Sequence, residues 1–224
     1  MQKINQKNKN MSTYFKQTFA KYPKDKIVLH HTAGGSDPKV VTDWWQQQNN
    51  NIGTCKVIGG ISTSRNNEND GIVIDWFDPK YYAYHLGIKE VDYCVSKSSI
   101  AIELCNYGQL IKNEKGQFVN YVHGIVPSDQ VCELSKPFRN YTYFQKYTEK
   151  QLIALRTELS ALSYQFNIDL HQGMYKLLKN NGKAFESQSS AIANKPGLWT
   201  HVNYRRDKLD CFPQPELIDM ILSL

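Results

Sequence analysis

A single α/β domain, with a central and mostly β sheet flanked by helices, is the fold class that this sequence predicts. Three observations lead there. Short aliphatic and β-branched runs such as "KIVLHHT", "TCKVIGGIS", "GIVIDWF" and "SIAIELCN" have the composition and length of strands. Helical patterns are interspersed with these runs, the clearest being "YTEKQLIALRTELSALSYQF". A chain of 224 residues is long enough to bury one sizeable core without staples.

Residues 1–24 read as a polar N-terminal arm with one short helix carrying Tyr14, Phe15 and Phe19, and the domain proper spans 25–224. "KIVLHHT" is the first core strand. It ends in "AGGSDP", where Asp37 can cap a helix that has Pro38 at its first position and Val40, Val41, Trp44 and Trp45 as its apolar stripe. "TCKVIGGIS" and "GIVIDWF" are joined by the turn-prone "TSRNNENDG" and predict a β-hairpin. "SIAIELCN" is the next strand, and "YGQLIKNEKGQFVNY" predicts a second hairpin. From there to about residue 147 the chain reads as irregular and rich in Tyr and Phe. The stretch 106–147 is too long for a plain connection and is expected to decorate a site. The helix from Tyr147 to Phe166 opens on a Thr-x-x-Gln capping box and has apolar residues at 152, 153, 155, 159, 162 and 166. A loop-rich stretch follows, then "GLWTHVNYRRDKLDCFP", and "QPELIDMILSL" is a closing helix begun by Pro215.

Composition narrows the function classes. Hydrophobic content of 41% is that of a globular protein, while 14 Tyr and 4 Trp supply amphipathic rings suited to a cleft for a polymer or sugar. The net charge of +6 favours an anionic partner, but Lys and Arg are spread along the chain. No basic helix or RNA-binding motif accompanies the charge, so a nucleic-acid partner is not expected. Cysteines at 55, 94, 105, 132 and 211 are odd in number and contain no C-x-x-C, so reduced thiols are expected rather than a disulfide framework or zinc knuckle. The polar start lacks the apolar core of a secretory signal, and no run reaches the ~18 apolar residues of a membrane span.

Three places carry the residue types that chemistry needs. Side chains alternate along a strand, so His30 and His31 cannot both serve one metal; one is a candidate ligand and the other a neighbour. In "THVNYRRDKLDC", His201 is followed at short range by Lys208, Asp210 and Cys211, which offer N, O or S donors for a tetrahedral Zn²⁺. In "SIAIELCN", Ile100, Ile102 and Leu104 share one face and leave Glu103 on the other, where a buried carboxylate is costly unless paired or functional.

Taken in order, His30, Glu103, His201, Lys208 and Asp210 resemble the zinc-dependent N-acetylmuramoyl-L-alanine amidases of the type-2 amidase, peptidoglycan-recognition-protein and phage T7 lysozyme superfamily. The resemblance covers roughly residues 26–222. It rests on "VLHHTAG", "DGIVIDWFDPKYYAYHLG", "SIAIELCN", the "YTEKQLIALRTELSAL" helix and the closing His…Lys-x-Asp spacing. It implies a peptidoglycan-recognition-protein-like fold and Zn²⁺ held by His30, His201 and Asp210, with His31 a non-ligand neighbour. The third ligand is Asp or Cys in different members, so Cys211 is a rival; the family's Lys-x-ligand spacing favours Asp210. Some members carry a catalytic tyrosine on the strand aligned with "GTCKVIGG", where this sequence has Thr54. Members lacking it use a glutamate at the position of Glu103. The resemblance thus implies that Glu103 moves the proton and Lys208 stabilises the oxyanion, in hydrolysis of the amide between N-acetylmuramic acid and L-alanine.

His85 matches a family histidine that lines the site without binding zinc; a hydrogen-bonded loop histidine is the competing reading. Arg139 lies among the rings of the 106–147 segment and is expected either to meet a stem-peptide carboxylate or to belong to a small satellite core. The alternative function is a non-catalytic peptidoglycan-binding module of the same fold, disfavoured because all three ligand positions are filled. A monomer is expected. The absence of a signal and of wall-binding repeats resembles a compact phage or prophage endolysin, made in the cytoplasm and released to the wall through a holin. A cytosolic recycling amidase and an exported toxin are the competing settings.

Overall fold

The computed structural model describes residues 3–4, 21–48, 51–88, 94–180 and 182–224. The predicted arm helix lies outside the described residues, except that Lys3–Ile4 forms a short strand, β1, paired in parallel with Val73–Asp75 (β4). Among the described residues the main sheet has six strands. β2 (Lys26–His31) is flanked on one side by β11 (Gly197–Thr200) and on the other by β5 (Ser99–Leu104), then come β3 (Lys56–Ile58), β4 and β1. The β11–β2–β5–β3 run is parallel throughout, and β3–β4 is the expected antiparallel hairpin. Every residue of β2 and β5 is buried, as befits parallel strands covered on both faces.

One face of the sheet, carrying Ile27, Leu29, Ile100, Ile102 and Leu104, joins the main core. There it meets Leu152, Leu155, Leu159 and Leu162 of α3 (Glu149–Phe166) and Leu217 and Ile221 of α7 (Pro215–Leu222). Thr148 caps α3 in the predicted capping box with Gln151, and Pro215 opens α7. The apolar face of α3 differs from the expected one: Ile153 is exposed, whereas Ala154 and Glu158 are buried. Glu158 is accommodated because Lys56 of β3 lies 2.9 Å from it and also pairs with Asp75.

Asp37 and Pro38 start α1 (Pro38–Gln47) as expected. Of its predicted stripe, Trp45 is buried against Trp76, but Val40 and Trp44 are 64% and 55% exposed. These two face the pocket described below rather than the core. α2 (Cys94–Ser98) leads directly into β5, and α4 (Met174–Asn180) and α5 (Ser190–Ala193) occupy the loop-rich stretch before β11. All five cysteines are free.

The expectation of an irregular 106–147 segment is corrected. After the predicted hairpin of β6 (Gln109–Lys112) and β7 (Phe118–Val119) come β8 (Ile125–Val126), β9 (Val131–Phe138) and β10 (Tyr141–Gln145). They form a second, wholly antiparallel sheet in the order β8-β7-β6-β10-β9. Pro137 is tolerated because β9 is an edge strand. Phe144 of β10 stacks on Phe212 at 4.3 Å and ties this sheet to the main core. From the β9–β10 turn, Arg139 donates to the carbonyls of Val202 (3.2 Å), Arg205 (3.1 Å) and Arg206.

Two stability outcomes are expected. Lys56→Met takes the Lys56 ammonium away from the buried Glu158 carboxylate and should cost about 3–5 kcal/mol in urea unfolding, most of it recovered in Lys56→Met/Glu158→Leu. Arg139→Ala strips donors from three carbonyls and should lower the melting temperature by several degrees. An unchanged melting temperature together with weakened muropeptide binding would instead favour a substrate contact for Arg139.

Candidate metal centre and active-site pocket

The parallel register assembles the site. Thr200 pairs with Leu29, so the next residues of the two strands, His201 and His30, emerge side by side. His30 in turn pairs with Glu103 of β5. Three neighbouring strands therefore deliver His201, His30 and Glu103 in a row at their carboxyl ends, where α/β sheets place their ligands. His201 opens α6 (His201–Tyr204), a single turn secured by mutual capping of Thr200 and Asn203. The chain then returns so that the Val202 N–H donates to the Asp210 carbonyl at 3.0 Å, which brings the Asp210 carboxylate over the two rings.

The geometry of the three side chains is tight. His30 Nδ1 and His201 Nδ1 are 3.1 Å apart, and Asp210 Oδ2 is 3.1 Å from the first and 2.9 Å from the second. Among the described residues, His30, His201 and Asp210 are the group able to hold a metal ion. For N and O ligands at about 2.0–2.1 Å around tetrahedral zinc, neighbouring ligand atoms are about 3.3 Å apart, so the triangle is near the required size. Proton counting favours the same conclusion. His201 Nε2 is 3.0 Å from the Leu86 carbonyl, which can only accept, so Nε2 carries the proton and a neutral ring has its lone pair on Nδ1. In that state the lone pair faces a carboxylate oxygen, an arrangement that a metal ion between them would satisfy.

Electrostatics keeps the set ready to bind. Burial, followed by the neighbouring His201, lowers the His30 pKa to about 4, so its imidazole is neutral as a ligand must be. Burial by itself would raise the Asp210 carboxyl, but the adjacent His201 and His30 rings outweigh it and hold the group below the ordinary carboxylate range. His31 points to the opposite face, as alternation requires, with Nδ1 2.8 Å from the Tyr147 hydroxyl. Cys211 is fully buried and engages Tyr147, so it stands apart from the triad.

The three residues sit in a pocket of about 690 Å³ that also includes Glu103 and Lys208. Burial, then the charge of Asp210, pushes the Glu103 carboxyl well above its ordinary range, with Lys208 opposing. Val40 and Trp44 of α1 and Tyr121 of the second sheet form further parts of the wall. Thr54 lines the pocket too, but its hydroxyl is turned to the Lys56 carbonyl at 3.0 Å. His85 lies in the pocket wall, with Nδ1 2.9 Å from His30 Nε2 and Nε2 2.7 Å from Ser99 Oγ. Arg139 is not among the lining residues; its guanidinium is spent on the carbonyls that follow His201.

Sequence reasoning missed Ser99 and the Leu86 carbonyl, while Tyr121 is one of the rings of the 106–147 segment expected to wall the site. Tyr121 reaches the pocket because its hydroxyl donates to the Ala33 carbonyl at 2.6 Å, an attachment across 88 positions that no local pattern reveals. The role of Leu86 is a main-chain one, so its side chain gives no signal.

No family model and no curated protein matches the chain. Among solved structures, it is similar to PlyL, over 93% of this chain and 91% of that one, with a TM-score of 0.50 and 10% identity. A glutamate-to-alanine mutant of PlyL gives 96% and 95% coverage, a TM-score of 0.51 and 10% identity. At this identity the likeness speaks to architecture, and it shows that the chain has the mixed α/β fold of PlyL.

Proposed function

We propose that the chain is a zinc-dependent amidase that hydrolyses the bond between N-acetylmuramic acid and L-alanine in peptidoglycan, acting on the cell wall as an endolysin. The observation that carries this assignment is the convergence of His30 Nδ1, His201 Nδ1 and Asp210 Oδ2 within 2.9–3.1 Å of one another, in the same pocket as Glu103 and Lys208. These are a metal ligand set, a proton acceptor and a cation, the three parts that amide hydrolysis needs.

His30, His201 and Asp210 would hold the ion, which supplies Lewis acidity toward water and a carbonyl oxygen. Glu103 takes a proton from the attacking water and returns it to the departing amine. Its raised pKa suits both halves of that task, because the same group must accept and then donate near neutral pH. Lys208 places a positive charge where the carbonyl oxygen becomes negative. Val40, Trp44 and Tyr121 offer apolar and aromatic wall to a glycan-peptide strand, whose sugar faces and peptide methyls are themselves partly apolar.

Digestion of purified peptidoglycan followed by mass analysis of the products tests the reaction. Intact stem peptides with a free L-alanine amino group are expected; new reducing sugar ends or cleavage within the stem would overturn it. Metal analysis of purified variants should find stoichiometric zinc in wild type and Cys211→Ser, and little in His30→Ala, His201→Ala or Asp210→Ala. Glu103→Gln should retain zinc and lower turnover ~10²-fold or more, because the amide cannot take the proton. Protonation disables Glu103 as a base, so wild-type kcat/KM should fall as pH drops through its raised pKa. That limb should lie above the ordinary carboxylate range and vanish in Glu103→Gln.

A further inference from the structure

The direction of the proton in each hydrogen bond around the two ligand histidines can be followed outward until it reaches a group with no choice. For His201 the path is one step long and ends at the Leu86 carbonyl. For His30 it has three steps. Its Nε2 meets His85 Nδ1 at 2.9 Å, His85 Nε2 meets Ser99 Oγ at 2.7 Å, and Ser99 Oγ lies 2.7 Å from the Val95 carbonyl. A carbonyl only accepts, so the Ser99 hydroxyl donates to Val95 and turns a lone pair toward His85. His85 Nε2 then carries a proton, and its Nδ1 accepts from His30 Nε2. The neutral His30 ring is left with its lone pair on Nδ1, the atom that faces His201 and Asp210.

We propose that the dipeptide His85–Leu86 is the outer support of the metal centre, fixing both ligand histidines as Nε2–H tautomers so that both turn Nδ1 to the ion, with Ser99 setting the direction of the longer relay. The inference rests on the reading of His30, His201 and Asp210 as the ligands. His85 and Ser99 are positioning residues: they act through His30. Consecutive residues hold the two rings, so any shift of this one segment reaches both ligands. The segment is well placed to resist such a shift. Leu86 is fully buried in a small cluster with Val28, Val95 and Trp199, and Tyr84 exchanges main-chain hydrogen bonds with Asn51 and Gly53. β5 serves the site twice, since Ser99 and Glu103 are four apart on the same face of the strand.

Two readouts test this on the full chain. Nitrogen-15 histidine NMR of the metal-free protein reports which ring nitrogen is protonated, and competition with a chromophoric chelator gives the zinc Kd. In wild type, Nε2 of both His30 and His201 should be protonated. Ser99→Ala should release His85, give His30 a mixture of tautomers and weaken zinc several-fold; Ser99→Thr, which keeps the hydroxyl, should restore both. His85→Leu should weaken zinc ~10–100-fold, the usual cost of removing such a partner. If circular dichroism shows that His85→Leu fails to fold, Ser99→Ala decides. A His30 that stays wholly Nε2–H with unchanged zinc affinity in Ser99→Ala would overturn the relay, as would a drop in melting temperature with neither readout altered. Wild type that binds no zinc overturns the metal assignment instead, and the tautomers of the metal-free protein still decide the relay.

Discussion

The site depends on one constraint, the in-register parallel pairing of β11, β2 and β5. Parallel strands that start level also end level, so Thr200 beside Leu29 and Glu103 beside His30 place three functional side chains along one sheet edge. A slip of one residue in β2 would turn His30 into the core and bring His31 to the face that carries Glu103. The core opposes that slip: Ile27 and Leu29 would be turned out of the main cluster, and His31 would lose its 2.8 Å contact with Tyr147. Hydrophobic burial on one face therefore secures the register of the chemistry on the other.

Polar groups gathered in this way are costly to bury, and each is balanced locally. His30, with its pKa near 4, avoids the cost by staying neutral. Asp210 keeps its charge because the His201 and His30 rings face it. Glu103 is pushed toward its protonated form because burial and the charge of Asp210 outweigh Lys208. One pocket thus holds two carboxyls with opposite tendencies, a charged one suited to hold a cation and a proton-exchanging one suited to move a proton. Farther out, Lys56 and Glu158 settle a second buried charge pair beneath β3.

Much of this was legible in the sequence because the signals were local. β2, the β3–β4 hairpin, β5, the capped α3 and α7 each had a periodicity or a turn or capping residue within a few positions. Alternation alone separated His30 from His31 and left Glu103 off the apolar face. The second sheet was legible only in its first hairpin. β9, "VCELSKPF", is mostly exposed, has a proline, and owes its strand character to pairing with β10 rather than to its own pattern. The exposure of Val40 and Trp44 was hidden for a related reason: an apolar stripe on a helix reads the same whether it faces a core or a cleft. The expected role of Arg139 relied on charge and neighbourhood in the chain, whereas its partners are main-chain carbonyls more than sixty positions away.

The second sheet leaves and rejoins the domain at almost the same point, since the Gln145 N–H donates to the Gly108 carbonyl at 2.9 Å and Phe144 pairs with Gln109. A segment whose two ends meet can vary at the tip of its β7–β8 turn without shifting the strands that carry His30, His201 and Glu103, whereas Arg139 and Phe144 tie β9 and β10 to the main domain. Its far tip nevertheless returns to the pocket through Tyr121. Scaffold and pocket wall are thereby encoded in separable stretches of one chain, and a change at the tip reaches the pocket through Tyr121 without altering the register that sets His30, His201 and Glu103.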